Sequence, residues 1–330
     1  MIRVLVLGQP DNASRIARAL DSPSAGVHAS FIQPRGYARL LATPPGPGPA
    51  VTMRVGFRIG ATTQRGQAFD AYWSLLCRRL PHAVRCHYWL GTDVLNTLEE
   101  ARAGTLRRGA LTATRGDLHL AVAPWLTSEL ESVGLPAITA LLPAPLQAPP
   151  AAPPMPPEFS VLSYLPAPRF EYYGGEAILE AARRMPHVRF DVVGGWGERA
   201  RPATANVRWH GWVDDMAQRY AQAAVVVRIP RHDGFGNTVI EGLLNARHVI
   251  YTHEVPFVRR VWPATAEALV VALRELQDAH AEGRLAPNLS GRTYALEEFD
   301  EDTLVERLLA LLRAHLSSAV GSKAGQTSSR

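Results

Sequence analysis

The sequence predicts an α/β protein made of two doubly wound parallel-sheet domains that face a central cleft. Three observations carry this. The chain has 330 residues, too many for one ordinary domain and enough for two of about 150 each. Short runs that are apolar throughout alternate with helical spacings, the pattern of a parallel sheet covered on both faces. Residues 144–157, Ala-Pro-Leu-Gln-Ala-Pro-Pro-Ala-Ala-Pro-Pro-Met-Pro-Pro, divide the chain near its middle. Proline fixes φ and removes backbone donors, so this stretch reads as a stiff, extended connector. The expected plan is an N-terminal domain over 1–143, the linker, a C-terminal domain over 158–316 and a disordered tail over 317–330.

In the first half, the strands are expected at Ile2–Leu7, Val51–Phe57, Arg85–Trp89 and Leu118–Val122, and the helices at Ser14–Leu20, Ala68–Leu80 and Pro124–Val133. The first strand is too short for the apolar region of a signal peptide, and no cleavage site follows it. Thr43–Pro49, rich in Pro and Gly, reads as a loop. The second half alternates more cleanly. Its strands are Phe159–Leu165, Val188–Val193, Val225–Ile229 and His248–Thr252, and its helices are Glu176–Met185, Met216–Ala223, Thr238–Ala246 and Thr303–Arg313.

With 47% hydrophobic and 20% charged residues, both halves can bury a core. No apolar run reaches the length of about 18 residues that a spanning helix needs, so a cytoplasmic protein is expected. The net charge is +5. The cations are almost all arginine, Lys323 being the only lysine, and they are scattered, so no nucleic-acid partner is expected. Arg102, Arg107, Arg108 and Arg115 do cluster in sequence. They read either as a solvated face or as a patch of the N-terminal domain that meets an anionic lipid surface at the inner face of a membrane. Cys77 and Cys86 lack metal-ligand spacing and read as reduced core thiols, so no metal is expected.

The most informative segment is Arg231-His232-Asp233-Gly234-Phe235-Gly236-Asn237-Thr238-Val239-Ile240-Glu241. It joins a strand to a helix at the carboxyl end of the strand, where open α/β sheets bind ligands. Gly234 and Gly236 permit a tight turn that exposes N–H groups, and Asn237 or Thr238 can cap the helix. Those amides and the positive end of the helix dipole suit a phosphate. Glu241, on the first turn, is placed to accept hydrogen bonds from sugar hydroxyls, with Asp233 just outside the helix. The other reading is an N-capped helix with two solvated acids.

This segment resembles the signature of retaining glycosyltransferases of family 4, in which two Glu flank a Gly-Phe-Gly turn at the same separation as Asp233 and Glu241. Further matches lie on either side. Phe190-Asp191-Val192-Val193-Gly194-Gly195-Trp196-Gly197 is similar to the family's strand and Gly-x-Gly turn beside the phosphates. Asn206-Val207-Arg208-Trp209-His210-Gly211-Trp212-Val213 matches its Asn-Val-x-Phe-x-Gly stretch at the nucleobase, which makes Val213 the candidate for base contact. Tyr220-Ala221-Gln222-Ala223-Ala224-Val225 resembles its Tyr-x-x-Ala-Asp-Val, and Ala246–Thr252 follows its pattern of small residues and a short strand.

The resemblance implies a GT-B fold of two Rossmann-like domains, the first on the acceptor side and the second binding a nucleotide-sugar as co-substrate. It implies donor contacts from Gly194, Gly195, Gly234, Phe235, Gly236, Asn237, Thr238 and Glu241, and from Gly8 and Gln9 in the first loop. Asp233 is implied near the donor sugar, with His87 facing that sugar from the first domain. A buried structural His87 is the alternative. Asp93 reads as a helix cap or a contact to a sugar hydroxyl. The family's Gly-Arg and Lys-Gly cations are replaced by Ser163-Tyr164-Leu165 and Tyr173-Gly174, which leaves Arg169 as the nearest cation for the diphosphate. The implied reaction is metal-independent hexosyl transfer, with retention, to a saccharide, lipid-linked or small-molecule acceptor. The alternatives are a nucleotide-sugar epimerase and a non-catalytic nucleotide-sugar-binding relative.

Overall fold

The computed structural model describes residues 1–33, 50–60, 63–195 and 204–327. The expected loop Thr43–Pro49 and residues Trp196 and Gly197 lie outside them. The chain divides into two compact units, Met1–Ala144 with Glu301–Arg330, and Pro145–Asp300.

Unit 1 runs β1 (Ile2–Gly8), α1 (Pro10–Leu20), β2 (Val27–Phe31), β3 (Ala50–Val55), α2 (Gln64–Arg79), β4 (Val84–Trp89), α3 (Thr92–Arg102), β5 (Leu118–Ala121), α4 (Pro124–Ser132) and β6 (Ile138–Thr139). The six strands form one sheet in the order β2-β1-β3-β4-β5-β6, and every pairing is parallel. α1 begins with Pro10, whose missing N–H costs nothing in a first turn, and buries Ala13, Ile16, Ala17 and Leu20 along one stripe. α2 packs Phe69, Trp73, Leu76 and Cys77 against Leu5 and Leu7 of β1. Burying each large side chain contributes about 1.5–3 kcal/mol, so Trp73→Ala is the single change most damaging to this layer. Cys77 and Cys86 are both buried free thiols.

Two expectations change at the C-terminus. Helix α10 spans Glu301–Thr327 and belongs to unit 1, where it packs on α1 and β4. Leu304, Leu308, Leu309, Leu312 and Leu316 form its buried stripe, and Arg313 Nη2 donates to Ala25 O at 2.8 Å. The helical spacing is visible in the sequence, but spacing does not say which sheet will cover the stripe. The stretch expected to be disordered from Ser317 continues this helix to Thr327; its Ala, Lys and Gln are good helix formers.

Unit 2 runs β7 (Ser160–Tyr164), α5 (Gly175–Arg184), β8 (Arg189–Val193), β9 (Val207–Gly211), α6 (Met216–Ala221), β10 (Val225–Arg228), α7 (Asn237–Leu244), β11 (His248–Tyr251), β12 (Arg259–Arg260), α8 (Ala266–Ala281) and α9 (Leu289–Glu298). Its parallel sheet has the order β12-β11-β10-β7-β8-β9. The chain starts in the middle at β7, winds out to β9, then returns to β10 on the other side. The reversal between β7 and β10 is a topological switch point, and the crevice outside their carboxyl ends is where such sheets bind ligands. Val161, Phe190, Val225 and Val227 are buried against Ile178 and Leu179 of α5 and Leu269 and Leu273 of α8.

The proline-rich connector forms neither helix nor strand, and part of it is fastened to unit 2. Arg247 is fully buried, and its guanidinium donates to Pro154 O at 3.0 Å, to Ala223 O at 3.3 Å and to Pro153 O. His280 Nε2 bonds Pro156 O at 2.8 Å, and Arg292 Nη2 donates to Pro149 O at 2.5 Å. Prolines keep their carbonyl acceptors, and these three side chains satisfy them.

Candidate functional site

At the switch point of unit 2 lies a cavity of about 370 Å³. Its floor is made of strand ends, since Tyr164, Val193 and Arg228 are the last residues of β7, β8 and β10. One wall is Gly194, Trp212, Val213 and Met216; the other is Asn237, Thr238 and Glu241 of α7, with Tyr173 closing the end.

The wall after β8 depends on glycine. Gly194 (φ +106°) and Gly195 (φ +85°) both occupy the left-handed region. A Cβ on Gly194 would meet the Tyr164 ring at 2.7 Å, and its N–H donates to Gly211 O at 2.7 Å, which ties β8 to β9 at the rim. Val213 is half-buried beside Trp212, which is 74% exposed, a large aromatic face left open at the mouth.

The wall on α7 is the segment Asp233–Glu241. Gly236, with extended backbone, is the N-cap, and no side chain caps the helix, so the Asn237 and Thr238 side chains are not the expected caps. The first-turn N–H groups of α7 thus have no capping side chain. Glu241 lies one residue beyond the first turn of α7. Its Oε2 accepts from Tyr220 O–H at 2.5 Å, and its Oε1 takes no hydrogen bond among the described residues. Burial first, then the neighbouring carboxylate, pushes the Tyr220 hydroxyl well above its usual range, so it stays a donor. Phe235 holds a positive φ of 91°, unusual for a bulky residue, and its ring is wedged against Tyr251 and Phe299 at centroid distances of 6.3 and 5.2 Å.

Asp233 departs from expectation. Arg228 Nε donates to its Oδ2 at 2.6 Å and Arg228 Nη2 to its Oδ1 at 2.8 Å, a two-point ion pair. Tyr251 O–H donates to Oδ2 at 2.9 Å and Gly234 N–H to Oδ1 at 3.0 Å. Burial alone would raise this carboxyl, but Arg228 and the hydrogen bonds outweigh it and hold it below the usual range. A carboxylate has about four lone-pair sites, and here four donors fill them. Asp233 thus faces Arg228 and is not among the residues that line the cavity.

Arg169 also lies away from the cavity lining. It is exposed at the end of a short 3-10 turn, with its guanidinium 5.6 Å from the Tyr172 ring. The cation that does line the cavity is Arg228, which lies inside the expected strand Val225–Ile229 and was not among the candidate site residues. Its partner five residues on, across a turn, was the available signal.

In unit 1, Gly8 ends β1 at the corresponding switch point. Its φ is +146°, and a Cβ there would lie 2.1 Å from Val55 O, so only glycine fits. Gln9 is exposed at the N-cap of α1, and its N–H donates to Val55 O at 3.2 Å. His87 is not at a strand end. It lies within β4, 2% exposed, in a row with Arg54 and His119 on neighbouring strands. Its Nε2 pairs with Asp117 Oδ2 at 2.9 Å, and its ring packs beside Trp73. Burial first, then the positive charges of His119 and Arg54, lower its pKa far below the usual value, so it is a neutral core imidazole. That is the buried alternative, and the expected sugar contact is not supported by its position. Asp93 is also buried and accepts from the N–H groups of Leu90, Gly91 and Val94 at 2.8–3.1 Å. It closes the turn into α3 instead of facing a ligand.

Two arginines of the unit 1 cluster have partners of their own. Arg107 Nη2 reaches Asp70 Oδ2 at 3.4 Å, and Arg115 Nε donates to Gly134 O at 3.1 Å. No helix among the described residues is long and apolar enough to cross a membrane.

Residues 173–283 match the family model described as Glycosyl transferases group 1, a span that covers most of the cavity's lining. No curated protein matches the chain in sequence. Among solved structures it is similar to Anabaena HepE in complex with UDP-glucose, at 14% identity and a TM-score of 0.63, over 94% of this chain and 99% of that one. It is similar to sucrose-phosphate synthase from Thermosynechococcus elongatus at 14% identity and a TM-score of 0.62, over 96% and 99% of the two chains. TarM matches at 12% identity and a TM-score of 0.55 over 80% of this chain, which spans about half (54%) of TarM's length. At these identities the likeness is one of fold, two Rossmann-like domains of the GT-B type.

Proposed function

We propose that this chain, whose second unit carries a glycosyl transferases group 1 domain, is a glycosyltransferase that draws its sugar from a nucleotide-diphosphate donor. The observation that carries the reading is convergence. Gly194, Val213, the first turn of α7 and Glu241 are separated in sequence by up to 47 positions, yet they line one cavity at the switch point of the sheet.

Each part of the cavity suits one part of the donor. Val213, Trp212 and Met216 offer an apolar edge and an open indole face for a nucleobase. Glu241, its carboxylate oriented by Tyr220, accepts from the ribose hydroxyls through Oε1. The uncapped amides of α7 meet the diphosphate with the positive end of the helix dipole. HepE, solved with UDP-glucose, shows that a chain of similar fold and length holds such a donor.

In the proposed reaction an acceptor hydroxyl oxygen bonds to the anomeric carbon. The bond from that carbon to the diphosphate oxygen breaks, its electron pair staying with the phosphate, which takes the acceptor's proton. Charge growing on the diphosphate is met by amides already in place, so little reorganisation is required. Attack on the face the diphosphate leaves gives retention, and the acceptor is a saccharide or a lipid-linked sugar.

A thermal-shift and turnover series on the full chain tests this. One of UDP-, GDP-, ADP- or dTDP-glucose should stabilise the protein by about 2.7 kcal/mol at a hundred times its Kd, and release nucleoside diphosphate when a saccharide acceptor is added. No stabilisation by any of them, or an epimerised sugar formed without acceptor, would overturn the assignment.

A further inference from the structure

Among the described residues lining the cavity, Arg228 is the only cation, and it is only 9% exposed. The chain around it is shaped to keep its guanidinium at the N-terminus of α7. Gly236 makes room: a Cβ there would sit 1.9 Å from Arg228 Nε. Tyr173 gives it a ring face at 5.1 Å. Asp233, itself gripped by Tyr251 and Gly234, holds it from behind through Nε and Nη2. Both hydrogens on Nη1 and one on Nη2 remain, and among the described residues the only further partner is a 3.5 Å contact from Nη1 to Thr238 Oγ1 on the cavity wall. Burial alone would lower this guanidinium, but the Asp233 carboxylate outweighs it, so it is charged at every working pH.

We propose that Arg228 binds the donor's diphosphate, its free edge donating to phosphate oxygens beside the α7 amides, and that Asp233 is its positioning residue. The proposal rests on the donor-site reading above. A guanidinium locked on one edge and open on the other loses little freedom on binding and presents a planar pair of donors, the geometry a phosphate accepts bidentately. It also explains why an acid beside the cavity is turned away from it. The competing account is a purely structural pair that pins the turn from Ile229 to Asp233, and it predicts no preference for phosphate.

Titration of the full chain with UDP, GDP, ADP and dTDP, each beside its nucleoside, separates the two. Arg228→Gln should weaken the preferred diphosphate by about 10–100-fold, the cost of lost charged hydrogen bonds, and its nucleoside by less than about twofold. Asp233→Asn, which frees the arginine, should weaken the diphosphate by several-fold while sparing the nucleoside. Equal loss for nucleoside and diphosphate, or diphosphate binding unchanged, overturns the proposal. If Arg228→Gln fails to fold because Asp233 is left buried and unpaired, the double variant Arg228→Gln/Asp233→Asn carries the same expectation without a stranded charge. A wild-type chain that binds none of the four diphosphates overturns the donor-site reading too. A wild type that binds one, with the Arg228 variants binding it equally, overturns this proposal alone.

Discussion

The Tyr220 hydroxyl donates to Glu241 Oε2 at 2.5 Å, joining α6 to α7 beside the cavity of unit 2. Tyr220 is 2% exposed, so its phenylalanine variant keeps the packing and removes only the hydrogen bond. Because Glu241 is assigned to the ribose, its loss should act on nucleoside and diphosphate alike. Glu241→Ala is expected to weaken both by roughly tenfold, about 1.4 kcal/mol, and Tyr220→Phe by roughly two- to fivefold through a less constrained carboxylate. Calorimetric titration checks this, and a loss confined to the diphosphate would move Glu241 to a different part of the ligand.

Phe235 offers a test of stored backbone strain. Its φ of 91° costs of order 1–3 kcal/mol for a residue with a side chain, and its ring contacts with Tyr251 and Phe299 offset that cost. Phe235→Ala removes the ring and keeps the strain, for a destabilisation of about 2–4 kcal/mol. Phe235→Gly removes both. The glycine variant should therefore be more stable than the alanine one by about 1 kcal/mol, against the usual order. Urea midpoints of the two variants decide it.

Asp117 ties the first unit to pH. Burial, only partly opposed by Arg85 and His119, pushes its carboxyl up to about 6. A folded-state pKa above the unfolded one means that the protonated form is favoured on folding. That stability is complete below the unfolded pKa of 3.8 and is lost as pH rises through about 6. Asp117→Asn keeps an acceptor for His87 Nε2 without the titration. Relative to wild type, the variant should gain about 1–3 kcal/mol between pH 4 and pH 8, one pKa unit being worth about 1.36 kcal/mol. A stability difference independent of pH would show that the carboxyl titrates normally.

The glycine at 236 can be tested as a partner of Arg228. Gly236→Ala should cost about 1–3 kcal/mol by overpacking against the guanidinium. In an Arg228→Ala background the same change should cost almost nothing. A double-mutant cycle measured by thermal unfolding reads the coupling, expected at about 1–3 kcal/mol, and additive effects would deny the contact.

How much of this was legible in the sequence follows from where each signal comes from. Strands β7, β8, β10 and β11 are buried on both faces and read as apolar runs. β9, Val-Arg-Trp-His-Gly at the sheet's edge, and the two-residue β6 and β12 carry no such pattern. The leucine stripe of α10 was visible, but its membership of unit 1 was not, because periodicity records a buried face and not its partner. Gly194, Val213, Asn237, Thr238 and Glu241, which line the cavity, were named from turn chemistry and resemblance, which are local. Asp233 was read as free since the ion pair that claims it depends on a turn bringing position 228 back to 233. His87 was taken by resemblance to face the donor sugar, but it lies within β4, where its ring packs beside Trp73 of α2.

The space that Gly236 leaves to the Arg228 guanidinium ties the two positions together. Arg228 and Gly236 act as a single inherited character written at two positions, since the guanidinium occupies the volume that any side chain at 236 would need. Drift at either site is constrained by the other. A side chain at 236 is accommodated only with a shift of the Arg228 guanidinium.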